Sequence, residues 1–295
     1  MTEKRTNLGI IKSVKYSFIW IILFALVVLF NRSFDRANDF DKEKSFVRII
    51  DVGQGDSALI YSKGYSALID TGVEDSASSV IDCLKECEIE KLDVLMITHL
   101  DTDHIGGIDS ITDRVDVDYL LLPELSVESE GLTLAELAVN KTVSKGGEVL
   151  TAKQGQSFKI GEFEITVLAQ FSQMAQENNR SVVAMAKKGS LKFLFTGDIE
   201  VKAERALLKE GLNLECDVLK VAHHGSSTST KTEFLKAVNP SYAVISVGNG
   251  NRYGHPHSEV LSALEGNCKY IYRTDIDGDI TFFAEDNKIK VETEK

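Results

Sequence analysis

Hydrophobic positions along this chain fall into short runs cut by polar, glycine-bearing turns, with one longer apolar run near the start. From Phe46 the short runs dominate. Phe46-Val47-Arg48-Ile49-Ile50 reads as a strand, and Ala58–Tyr61 with Ala67–Asp70 as a hairpin around Lys63-Gly64. A helix is expected over Ser78–Cys87, then a buried strand, Asp93-Val94-Leu95-Met96-Ile97. Further strands are expected near Val117–Leu122, Ile165–Leu168, Val182–Ala186, Leu191–Phe195, Asp217–Ala222 and Tyr242–Val247. Helices near Leu132–Val143, Glu200–Lys209 and Thr232–Ala237 are interleaved with them, and a last helix and two strands close the chain. Hairpins mixed with strand-helix alternation predict an α/β domain with mixed sheets.

The longer run, Tyr16 to Phe30, is apolar apart from Ser17. It lies at the short end of the roughly 17–25 residues that span a bilayer. Lys4, Arg5, Lys12 and Lys15 precede it, and no small-residue cleavage pattern follows Val28-Leu29-Phe30-Asn31-Arg32. The reading is a cytoplasmic tail over 1–15, an uncleaved signal-anchor helix over 16–32, a charged linker over 33–44 and a globular domain over 45–290. The positive charge ahead of the run places the globular part outside the cytoplasm. A cleaved signal peptide and a peripheral helix are the alternatives.

Composition narrows the partners. A net charge of −12 excludes a broad basic surface for gripping nucleic acid, though metal ions can supply local positive charge to a phosphate. The cysteines, Cys83, Cys87, Cys216 and Cys268, have no CxxC spacing, so no structural zinc site is signalled and core thiols are expected.

The histidines change the picture most. The chain has 6, and all fall in three short clusters that follow strand-like runs. Thr98-His99-Leu100-Asp101-Thr102-Asp103-His104 packs two imidazoles and two carboxylates beside Gly106-Gly107. Leu219-Lys220-Val221-Ala222 leads to His223-His224-Gly225-Ser226, and Tyr253-Gly254 to His255-Pro256-His257. Imidazole nitrogen with carboxylate oxygen is the donor set of a borderline divalent cation. Clusters at several strand ends imply one assembled site. Asp56 and Asp70 follow strands and read equally as turn caps or as supports of a metal loop. Lys220 lies in an alternating strand that leaves its face open.

In order, Asp51 to Ser57, Ile69-Asp70-Thr71-Gly72, His99-x-Asp101-x-Asp103-His104, Thr196-Gly197-Asp198, His223-His224-Gly225-Ser226 and Tyr253-Gly254-His255-Pro256-His257 resemble the metallo-β-lactamase superfamily. The likeness spans about residues 46–285. More narrowly, they resemble the extracytoplasmic hydrolase domain of the ComEC/Rec2 competence proteins, without their polytopic channel region. The resemblance implies a four-layer αββα sandwich holding one or two divalent ions, Zn²⁺ or Mn²⁺. By position it implies His99 and Asp101 at a first metal site and Asp103 and His104 at a second. Asp198 falls at the bridging carboxylate and His224 at a further ligand position, with His223 toward substrate; the reverse order of that pair is the alternative. His255 and His257 fall on a late loop, placed to complete the metal shell or to protonate a leaving group. Asp103 or Asp198 would orient a water whose pKa the cations lower.

Two positions depart from the family pattern. Asp101 stands where a second histidine is common, and Asn178-Asn179-Arg180-Ser181 occupies the region of an expected histidine. The ComEC-like branch shares both departures. An oxygen-rich first site makes harder ions such as Mn²⁺ plausible beside Zn²⁺. The function implied is a membrane-anchored, metal-dependent hydrolase. It would cleave a phosphodiester of nucleic acid or of an envelope polymer, with a separate channel protein as a possible partner. Hydrolysis of a β-lactam or other amide, and a non-catalytic module in DNA uptake or envelope assembly, are the competing readings.

Overall fold

The strands form where β-branched and aromatic residues alternate across two faces, so each strand can serve two packing layers at once. In the computed structural model, which describes residues 40–126 and 129–295, that alternation builds two stacked sheets. The expected tail, the anchor over 16–32 and residues 33–39 of the linker lie outside the described residues. Residues Lys42–Lys295 form one compact unit. Among the described residues no helix is long and apolar enough to cross a membrane.

The first sheet holds β1 (Ser45–Ile49), β2 (Ala58–Ser62), β3 (Tyr65–Ile69), β4 (Lys91–Met96), β5 (Asp116–Leu122) and β6 (Glu148–Thr151) in sequence order. The chain end returns beside β1 as β14 (Ile280–Glu285) and β15 (Lys288–Thr293). The second sheet runs from β7 (Ser157–Ile160) through β8 (Phe163–Ala169), β9 (Val183–Lys188), β10 (Leu191–Phe195), β11 (Val218–Lys220) and β12 (Tyr242–Ile245) to β13 (Tyr270–Arg273). Each sheet begins as an antiparallel meander and ends in parallel strands, β3 to β6 and β10 to β13.

Parallel neighbours need crossover connections, and helices supply them. In the first half these are α1 (Ala77–Glu86), the one-turn α2 (Thr102–Ile105), α3 (Ile108–Arg114) and α4 (Leu132–Ser144). In the second half they are α5 (Val201–Lys209), α6 (Thr232–Val238) and α7 (Ser258–Glu265); α8 (Thr274–Asp277) follows β13.

Inward side chains of both sheets, among them Val47, Ile60, Met96, Ala184, Phe193 and Val244, form one buried cluster. The alternate residues Val183, Met185, Leu194, Ala243 and Ile245 instead meet Ala203 and Leu207 of α5, Leu235 of α6 and Val260 of α7. That gives the helix-sheet-sheet-helix layering. Phe193 is 1% exposed, and truncating such a side chain costs ~3–5 kcal/mol.

Three strands escaped the sequence reading: β6, β7 and β13. Each is a sheet edge, and their burial patterns are mostly exposed or intermediate. An edge strand buries too little to impose a strict apolar alternation. The chain therefore ends with two helices, α7 and α8, and three strands, where one helix and two strands were expected.

Candidate metal centre

The carboxyl ends of β3, β4, β10, β11 and β12 converge, and the loops leaving them carry the site. After β4, His99 leads into α2, whose backbone starts at Asp101: the His104 and Ile105 amides donate to the Asp101 carbonyl at 2.9 and 3.0 Å. One helical turn thus sets Asp103 and His104 side by side. The turn is tied down from outside, since Thr71 N–H donates to the His104 carbonyl at 2.7 Å and Asp56 N–H to that of Asp103 at 3.1 Å. Gly55 permits this approach, because a Cβ there would collide with the Asp103 carbonyl.

After β11 the backbone turns sharply. His223 and His224 take left-handed conformations, φ 51° and 52°, each costing of order 1–3 kcal/mol. The turn brings both consecutive imidazoles toward the same oxygen of Asp198, Oδ2. His224 Nε2 lies 3.1 Å from Asp103 Oδ2 and 3.6 Å from Asp198 Oδ2. His223 Nε2 lies 3.8 Å from Asp198 Oδ2 and faces the cavity.

Asp103, His104, Asp198 and His224 offer four ligand atoms within 4.8 Å of one another. His104 Nε2 and Asp198 Oδ1 are buried with no hydrogen-bond partner, as is His99 Nε2. Such atoms cost about 1–3 kcal/mol each when left unpaired. His104 Nε2 faces Asp198 Oδ1 at 3.3 Å and His224 Nε2 meets Asp103 Oδ2 at 3.1 Å, so two nitrogens and two carboxylates converge in a donor set that fits a borderline or hard divalent ion. His99 sits beside this group rather than in it: its ring centroid is 4.1 Å from that of His104, and its Nε2 is 3.6 Å from Asp101 Oδ2.

Supporting residues fix the imidazoles. Asp70 accepts from Thr98 N–H at 2.7 Å and Thr98 Oγ1–H at 2.8 Å, and stands 2.8 Å from His104 Nδ1. That leaves His104 Nε2 for an ion. His224 Nδ1 stands 3.0 Å from the Ser246 carbonyl and 3.3 Å from Asp56 Oδ1. Asp56 in turn pairs with Lys220 Nζ at 2.7 Å, both buried. Asp56, Asp70 and His104 also form a three-residue group, but Lys220 and Thr98 already engage its carboxylates. Ser181, in the stretch where a histidine was expected, accepts the Asp198 N–H at 3.1 Å. Asn178 Nδ2 lies 3.4 Å from His223 Nε2.

The electrostatics follow the carboxylates. Burial disfavours charge on His224, but Asp198, Asp103 and Asp56 outweigh it and push the imidazole up to about 10. His104 is likewise held well above its usual value: burial opposes, and Asp198 and Asp70 prevail. Burial would raise Asp198, yet His104 and His224 hold it well below the carboxylate range. Asp103 is lowered against burial by His224 and His104. His255 goes the other way, down to about 4, through burial and the adjacent His224, His223 and His257.

A cavity of about 600 Å³ opens over the group. Asp101, Asp103, Asp198, His223, His224 and His255 line it; His99 and His104 lie fully buried beneath. His257 is not among the lining residues; its Nδ1 accepts the Ser227 N–H at 2.8 Å, bracing the loop after the histidine pair. Sequence reasoning left Lys220 without a side and missed Thr98, Ser181 and Ser246. Only a contact partner far along the chain reveals their roles.

Residues 50–249 match the metallo-beta-lactamase superfamily. The chain belongs to that superfamily. Its sequence is 33% identical over 256 residues to ComE operon protein 3 of Bacillus subtilis, covering 80% of this chain and 32% of that protein. It is 29% identical over 243 residues to Competence protein ComA of Neisseria gonorrhoeae, covering 82% and 32%. This metallo-β-lactamase domain is thus ComEC/Rec2-like, and the chain spans about a third of the length of these relatives. Among solved structures, the metallo-beta-lactamase fold protein YhfI of Bacillus subtilis superposes with a TM-score of 0.51 at 13% identity, covering 77% of this chain and 95% of that one. That likeness concerns the fold.

Proposed function

We propose that this superfamily hydrolase is a divalent-metal-dependent phosphodiesterase acting on nucleic acid, anchored by its N-terminal segment with the catalytic domain outside the cytoplasm. The observation that carries the reading is the quartet of Asp103, His104, Asp198 and His224 at the floor of an open cavity, with buried ligand atoms unsatisfied. Competence relatives favour a nucleic-acid substrate over an envelope polymer.

The quartet would hold the ion or ions, with His99 and Asp101 beside it. A bound divalent ion supplies Lewis acidity toward a phosphoryl oxygen and lowers the pKa of water. The chain's own residues do the rest. Asp70 and the Ser246 carbonyl fix His104 and His224 so that each presents Nε2. Asp103 and Asp198 offer acceptor oxygens that orient a water. His223, on the cavity wall 3.8 Å from Asp198, is placed to deliver a proton to a leaving oxygen. His255 lines the same cavity beside His223 and His224.

The test uses the full chain purified in detergent. Hydrolysis of bis-p-nitrophenyl phosphate should require added Mn²⁺ or Zn²⁺ and disappear in Asp103→Asn. Turnover of nitrocefin without phosphodiester turnover would favour amide hydrolysis, and inertness toward every ester a binding module. A reporter fused after Lys295 should be active only outside the cytoplasm; cytoplasmic activity overturns the topology.

A further inference from the structure

One wall of the cavity is unlike the rest. Among the described lining residues, Asp101, Asp103, Glu130 and Asp198 are acidic, and Arg252 is the one arginine or lysine. Arg252 lies against Tyr253: its Nη2 donates to the Tyr253 hydroxyl at 2.8 Å, and its guanidinium carbon is 5.0 Å from the ring centroid. Tyr253 is 50% exposed and stacks on His255, centroids 5.6 Å apart at 22°. His255 in turn lies 6.4 Å from His224 at 29°. The rings form a ladder from the metal quartet to the cavity mouth.

The ladder is held in place. The Asn251 carboxamide oxygen accepts from Tyr253 N–H at 3.1 Å and His255 N–H at 3.0 Å, while its Nδ2 donates to the Gly248 and His255 carbonyls at 3.0 and 2.7 Å. Gly225 gives the loop room: its φ is +80°, and a Cβ there would lie 2.6 Å from Pro256 Cβ. A half-exposed aromatic face on a pinned loop costs little entropy when something stacks on it.

The geometry points to a nucleotide subsite: with His255 stacked on one side of Tyr253, the exposed Arg252 side chain swings off the ring to a neighbouring backbone phosphate, and the base next to the scissile phosphodiester stacks on the tyrosine face it leaves. This rests on the phosphodiesterase reading and sharpens it. Stacking on an aromatic face needs no particular base, and a guanidinium beside it suits a single strand whose bases are splayed. The same pairing disfavours the alternative substrate, an envelope polymer, where that polymer carries choline. A quaternary ammonium would seek the tyrosine face, and the Arg252 charge beside that face repels a cation but not a base.

The experiment compares a 12-residue oligothymidylate with an abasic oligonucleotide of equal length, using the full chain in detergent. Two readouts are taken: hydrolysis with Mn²⁺, and anisotropy of the fluorescein-labelled strands without turnover. Wild type should favour the thymidylate about tenfold, from one base stacked. Tyr253→Ala should cut that ratio toward one, through KM rather than kcat, and Tyr253→Phe should keep it. Arg252→Ala should weaken binding of both strands and flatten the salt dependence. Hydrolysis or binding without base preference overturns the subsite and leaves the phosphodiesterase standing. Base preference in binding that Tyr253→Ala removes, with no hydrolysis, leaves the subsite standing and removes the enzyme. Preferred cleavage of glycerophosphocholine over the thymidylate also overturns the subsite.

Discussion

Replacing Lys220 with methionine tests how the metal floor is built. Lys220 and Asp56 are 5% and 7% exposed at the side chain and meet at 2.7 Å. The ammonium also donates to the Val221 carbonyl at 3.1 Å. Removing one partner of a buried pair strands the other and typically costs ~3–5 kcal/mol. Here His224 Nδ1, 3.3 Å from Asp56 Oδ1, shares the carboxylate, so the lower end, about 3 kcal/mol, is expected. Against a domain stability of roughly 5–15 kcal/mol that is large. The pH dependence has a definite sign. Burial opposes charge on Asp56, but Lys220 and His224 hold its carboxyl well below its usual 3.8. Its stabilisation is therefore present above 3.8 and lost as pH falls through the folded value. Without Lys220 the carboxyl rises, so the deficit of Lys220→Met is greatest at neutral pH and shrinks toward pH 4. Urea unfolding followed by circular dichroism at pH 7 and pH 5 measures both. Adding Asp56→Asn to Lys220→Met should recover at least about 1 kcal/mol, a coupling expected of touching groups. A Lys220→Met protein within about 1 kcal/mol of wild type at pH 7 refutes the reasoning.

Other outcomes follow from the same geometry. Asp70→Ala removes the partner of His104 Nδ1 and should weaken Mn²⁺ or Zn²⁺ binding roughly 10–100-fold, with circular dichroism unchanged; unaltered affinity by titration calorimetry would contradict it. Metal takes neutral imidazole, while His224 lies up at about 10 and His104 well above its usual value. Ion uptake at pH 7.5 should therefore release about two protons, read from the buffer dependence of the binding enthalpy; zero release would contradict it. Burial pushes Glu204 up to about 7 although it accepts the Thr230 and Lys231 amides. With the folded value raised, its stabilisation is present below the usual 4.5 and lost as pH rises through about 7. Relative to wild type, Glu204→Gln should therefore gain ~1–3 kcal/mol between pH 5 and pH 8.5; parallel pH profiles would contradict it.

The buried middle of each sheet was legible because its residues must satisfy two packing layers. Leu191–Phe195 is a strand with the expected limits, and its inner Phe193 and outer Leu194 are the alternation that announced it. The edges β6, β7 and β13 were illegible because exposure relaxes that demand. In the site, spacing along α2 was enough to bring Asp103 and His104 together, since a single turn does so wherever it lies. The histidine pair was different. Which imidazole enters the quartet depends on two left-handed residues at 223 and 224, a conformation residue type does not announce. Lys220 meets Asp56 across 164 positions, and no local pattern encodes such a pairing.

The most direct test of the metal centre is anomalous diffraction at the Mn or Zn edge from crystals of the metal-loaded chain. One or two peaks are expected within coordination distance of Asp103, His104, Asp198 and His224, and absent in Asp198→Ala. No peak there, or a peak that survives Asp198→Ala unchanged, would contradict the assignment on which the proposed chemistry rests.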